Sequence, residues 1–158
     1  MDIEAILDIF KYVTPEWISA LASVVAAGGV FLAYGQLKIS KNIAQLEFED
    51  GLSKEYRELA SNIPTKALLG IELTEEEFQR SFDELYRYID LTNEQVSLRQ
   101  RNRVKKEAWL NWSSGIQSNL ARPSFKRAWS EIKEKSNSFQ ELRRLESEDF
   151  KIDPKLWN

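Results

Sequence analysis

Five cationic side chains crowd into eight residues: Arg99, Arg101, Arg103, Lys105 and Lys106. Side chains of this type at this density bind anions, because guanidinium groups grip phosphate through paired N–H donors and ammonium groups act as point charges. The candidate ligands are a nucleotide, RNA or other nucleic acid, or a lipid headgroup. Tyr86 and Tyr88 before the cluster, and Trp109 and Trp112 after it, could offer faces on which a base stacks. Two other readings stay open: the cluster could dock on acidic residues elsewhere in the fold, or it could be a solvated turn. No glycine-rich phosphate loop accompanies it.

A second set of residues that could do chemistry is acidic: Glu75, Glu76, Glu77, Asp83, Glu84, Asp90 and Glu94. Carboxylates can bind metal or work in acid/base pairs. Their spacing suits a solvated helix face better, because Glu76–Arg80, Arg80–Glu84 and Asp83–Arg87 fall four residues apart, where opposite charges meet on a helix. The chain has no His and no Cys. That excludes disulfides, thiol nucleophiles, Cys-based zinc sites, His bases and a Ser-His-Asp triad. We expect no metal, no cofactor and no enzymatic activity, an enzyme built on carboxylates alone being the weakest reading.

The net charge of −3 hides a segregation. From Glu47 to Glu94 there are 13 acidic and 5 basic residues, whereas from Arg99 to Arg144 there are 12 basic and 4 acidic. Blocks of opposite sign, net −8 and net +8, can meet in a folded helical domain.

The element that places the chain is the run Trp17–Leu37, 21 residues with no charged side chain. At about 1.5 Å per residue a helix of this length just covers a hydrocarbon core of roughly 30 Å. We read it as a single transmembrane helix over residues 16–38. A signal peptide wants a basic start, whereas the preceding segment carries Asp2, Glu4, Asp8 and Glu16 against one Lys11. Ser19, Ala22, Ala26, Gly29, Ala33 and Gln36 fall within about 100° of the helix circumference. Ser23 and Ala27 widen this face, and Trp17, Leu21, Val24 and Phe31 lie opposite. Small residues let helix backbones approach closely in lipid, so the face is a candidate seam for self-association; a plain Ala-rich anchor is the alternative.

Lys38 and Lys41 flank the C-terminal end of the span, with Lys54 and Arg57 beyond, against Lys11 alone on the other side. The positive-inside rule then puts the C-terminal domain in the cytoplasm and the N-terminus outside, in the inner membrane, with Trp17 and Tyr34 at the interfaces. Residues 1–15 carry Ile3, Ile6, Leu7, Phe10 and Val13 on one helical face, a surface helix, before Thr14-Pro15-Glu16 starts the span as cap, first position and dipole partner.

Residues 39–158 make one helical domain. Ile39, Ile43, Leu46, Leu52, Tyr56, Leu59 and Ile63 continue the helix past the membrane, with Gly51 a weak point and Pro64 the stop. A short turn follows, ending near Gly70. Thr74 with Glu77 forms a capping box ahead of the stripe Phe78, Phe82, Leu85, Ile89 and Val96. Trp109, Trp112, Ile116 and Leu120 form the next stripe. Arg122-Pro123 opens a helix with Phe125, Trp129 and Ile132. Ser138 with Glu141 is a second expected capping box, before Phe139, Leu142 and Leu145. The tail from Phe150 has no clear period.

The run Trp109-Leu110-Asn111-Trp112, Gly115-Ile116, Asn119-Leu120, Arg122-Pro123-Ser124-Phe125 and Ala128-Trp129 resembles a family of small, uncharacterised bacterial membrane proteins. They pair one N-terminal span with a helical cytoplasmic domain. The layout is also similar, more loosely, to membrane accessory proteins found beside antiphage systems, including CRISPR loci. The shared motifs imply architecture and no reaction; some of the accessory proteins oligomerise into pores and some bind nucleotide signals. We expect an all-α, self-associating membrane protein, assembled through the seam from Ser19 to Gln36, that acts on the bilayer as a pore or permeability effector in antiviral defence. The alternative is a membrane-anchored sensor whose basic segment binds a nucleotide or RNA. Ribonuclease-like members use an Arg and a His, and this chain has no His.

Overall fold

The structure is a computed structural model and describes residues 15–157. The stripe from Ile3 to Val13 and the Thr14 cap lie outside the described residues. Those described are all-helical: α1 (Pro15–Asn62), α2 (Thr65–Leu68), α3 (Glu75–Gln100), α4 (Lys106–Leu120), α5 (Pro123–Lys135), α6 (Gln140–Ser147) and a 3-10 turn, Pro154–Leu156. No strand occurs among them. The chain divides into two compact units, Met1–Ala44 and Gln45–Asn158.

The first unit holds the N-terminal part of α1. Pro15 occupies the first helical position, where its fixed φ suits the helix and its missing N–H costs nothing. The span read from the sequence, residues 16–38, lies wholly within α1, which runs on past it without a break. Ile39 and Ile43 keep the helical period yet stay exposed, as does Leu46. Burial on α1 begins at Glu49 and Leu52. The helix continues through Gly51 and stops at Asn62, because Pro64 bars helical geometry at Ile63.

The second unit is organised around α3, which packs against α5, α6 and the 3-10 turn; α5 also packs against α4 and α2. Phe78, Leu85, Ile89 and Val96 are buried on α3, and they meet Phe125, Trp129, Leu142 and Leu145. The expected stripes on α4 and α5 are likewise buried, with Trp112 and Phe82 packed at the margin.

Helix ends show where local sequence decides and where it does not. Glu77 N–H donates to the Thr74 hydroxyl at 3.3 Å, and Thr74 N–H donates to the Glu77 carboxylate at 3.0 Å, forming the expected capping box. Such a cap contributes about 1 kcal/mol. Gly70 turns the chain at φ +76°, and Pro123 opens α5. The Ser138–Glu141 box does not form: Phe139 precedes α6 at φ +63°, with no side-chain cap from its neighbours. The left-handed conformation costs about 1–2 kcal/mol. It lets the Phe139 ring pack edge-on against Tyr86 and Trp129, at 5.5 and 6.2 Å between centroids. The cap comes from another helix instead: Leu142 N–H donates to Asn93 Oδ1 of α3 at 3.0 Å. At α4, Lys105 N–H donates to the Glu49 carboxylate of α1 at 2.6 Å.

Of the three expected pairs on α3, Arg80 bonds Glu76 at 2.5 Å. Arg80–Glu84 and Asp83–Arg87 are not made among the described residues, which matters little for exposed side chains.

Candidate functional site

The cationic cluster sits where α3 ends and α4 begins. Its five members do not share one surface. Arg99 lies on the core-facing side of α3, with its side chain only 4% exposed. It donates Nε and Nη2 to the two Asp153 carboxylate oxygens at 2.7 and 2.5 Å, and Nη1 to the Val104 carbonyl at 2.7 Å. Arg99 therefore holds the fold together and is not free to meet a ligand. Arg101, Arg103 and Lys106 are exposed on the turn and Lys105 is half-buried. The Arg103 guanidinium stands 5.2 Å from the Phe48 ring centroid.

Among the described residues one ion pair joins the acidic block to the basic one, and it lies away from this cluster. Arg127 of α5 bonds Glu75 at 2.8 Å and stacks 3.8 Å from the Phe78 ring centroid. Glu49 belongs to the acidic block, but it takes a backbone N–H of the cluster and no cation. Among the described residues no group of three or more Asp or Glu is arranged to hold a metal ion.

The six small or polar residues of the candidate seam, Ser19, Ala22, Ala26, Gly29, Ala33 and Gln36, lie on α1 and all are exposed. A Cβ added at Gly29 would meet nothing within 4 Å. The Ser23 hydroxyl donates back to the Ser19 carbonyl at 2.9 Å.

A cleft of about 370 Å³ opens in the second unit between α1, α3 and α4. Tyr88, Gln95, Ile116 and Asn119 are its buried lining; Tyr56, Arg57, Asn111 and Gly115 are its exposed lining, with Ser53 and Trp112 between. Asn119 Nδ2 donates to the Tyr88 hydroxyl at 2.7 Å. Burial pushes the Tyr88 phenol up to about 12, against the pull of that hydrogen bond, so Tyr88 is neutral at any ordinary pH. The Tyr56 ring meets it edge-on at 6.0 Å. Gln95 is 5% exposed, yet its amide makes no hydrogen bond among the described residues. The amide atoms are not enclosed, so they face the open cleft.

Comparisons of the chain with models of known families, with curated proteins and with solved structures find no match. The cleft was not expected from the sequence. A signal was present: Tyr88, Thr92, Gln95 and Arg99 recur at helical spacing on the buried side of α3, where apolar residues belong. Gly115, inside a helix where it serves no turn, is a second one.

Proposed function

We propose that the chain is a bilayer-anchored, self-associating protein whose copies meet through the α1 face Ser19, Ala22, Ala26, Gly29, Ala33 and Gln36. The observation that carries this reading is the exposure of the apolar run. Trp17, Ile18, Leu21, Val24, Val25, Val30, Phe31 and Leu32 are each between 58% and 80% exposed. This helix is long and apolar enough to cross a membrane, and none of its apolar window is buried within the chain. So large an apolar surface calls for lipid or protein cover. With Lys38 and Lys41 inside, the helical unit faces the cytoplasm. Assembly of such spans disturbs the bilayer itself, which fits a permeability effector in the antiviral setting that the resemblance implies.

The test is self-association of the full chain in detergent or bilayers. Gly29→Leu or Ala26→Leu should weaken it, because a bulky side chain holds the backbones apart. Val24→Leu on the opposite face should leave it unchanged. Equal losses from both faces would remove the seam.

A second reading, a sensor of nucleotide or RNA, is favoured by the turn at Arg101, Arg103 and Lys106, which are exposed and carry no ion pair among the described residues. Replacing Arg101, Arg103 and Lys105 by Gln should then abolish oligonucleotide binding and flatten its salt dependence. Absence of binding at low salt ends this reading.

A further inference from the structure

We propose that the cleft between α1, α3 and α4 is a binding site for a nucleoside monophosphate, a planar base with an anionic group attached. It is separate from the cationic turn and from the span, and it does not rest on self-association. The cleft's volume of about 370 Å³ falls within the range of small-molecule sites.

Its chemistry is selective. Gln95 is buried at the cleft and carries two donors and one acceptor, none of them engaged within the described residues. Asn119, also on the lining, spends one N–H on Tyr88, and its carbonyl oxygen takes no hydrogen bond among the described residues. Each carboxamide offers a donor and an acceptor side by side, the pattern by which such side chains read the edge of a base. Tyr56 and Trp112 supply aromatic surface on which a base stacks. Arg57 lies exposed on the lining, where a phosphate can keep part of its hydration while pairing with the guanidinium. A purely apolar ligand would strip water from the Gln95 amide and return no hydrogen bond to it.

Gly115 bears on the same point. A Cβ there would meet nothing within 4 Å. Alanine would favour the helix more, so glycine has no local structural role and its effect is to leave the cleft open.

Titrating the full chain in detergent micelles with AMP, GMP, CMP and UMP by calorimetry tests the proposal, with ribose 5-phosphate as the base-free control. At least one monophosphate should bind measurably and bind at least tenfold tighter than ribose 5-phosphate. Gln95→Leu, which removes the amide and needs no partner, should weaken binding about tenfold while the melting temperature holds. Gly115→Leu should abolish binding while the unit stays folded. Gln substitution of Arg101, Arg103 and Lys105 should change nothing. No binding at millimolar monophosphate, equal binding of ribose 5-phosphate, or wild-type affinity in folded Gly115→Leu would each overturn it. Loss of binding in the triple variant would move the ligand to the turn and overturn it equally.

Discussion

Phe125→Ala is expected to destabilise the second unit by about 3–5 kcal/mol. Phe125 is fully buried and meets the Tyr88 ring edge-on at 4.9 Å between centroids. The truncation removes the ring's transfer free energy, leaves a void and ends the aromatic pair, which alone is worth about 0.5–1.5 kcal/mol. A unit of this size has roughly 6–17 kcal/mol in total, so between about a fifth and most of its stability goes with one side chain. Denaturant titration followed by tryptophan fluorescence reads this effect, since four of the five Trp residues lie beyond Ala44. Tyr88, once loosened, would also release its bond from Asn119, so ligand affinity at the cleft should fall with stability. A loss below about 1 kcal/mol would mean that Phe125 is not central to the core.

Arg99→Leu should cost about 3 kcal/mol, the low end of what breaking a buried ion pair costs. It sits at the low end because the Asp153 side chain keeps 24% exposure and water can take up part of the loss. The Val104 carbonyl loses its donor as well. The pair carries a pH signature. Hydrogen bonding from Arg99 holds the Asp153 carboxyl below its ordinary 3.8, with burial opposing. A carboxyl whose pKa is lowered by folding stabilises above its unfolded value and loses that contribution as pH falls through its folded value. The stability gap between wild type and Asp153→Asn should therefore be constant near neutrality and close as pH drops below about 4. A gap that widened on acidification would contradict the ion pair.

Much of this fold was legible because it is written locally. Pro64, Pro123 and the Thr74–Glu77 box act within a few residues of themselves, and the apolar stripes of α3, α4 and α5 depend only on helical period. Ser138–Glu141 has the same local pattern and fails, because Phe139 turns inward at positive φ and takes the place before the helix, while Asn93 of α3 caps Leu142. Arg99 reads as one of five cations until Asp153 is seen beside it. The cleft is the extreme case: its Gln95, Asn119 and Arg57 come from three helices, and no spacing along the chain relates them. The proposed seam on α1, by contrast, comes from helical period alone, and the exposed face from Ser19 to Gln36 meets nothing within the chain.

The bonds that lock the second unit also impose an order in time. Arg99 is made 54 residues before Asp153, Asn93 49 before Leu142, and Glu49 56 before Lys105. Helices form in about a microsecond, but at roughly 5–20 residues per second a ribosome takes about 3–11 s to add 54 residues. For those seconds a finished α3 waits with the Arg99 guanidinium unpaired, while its apolar stripe is covered in stages, by α5 first and by α6 and the 3-10 turn after it.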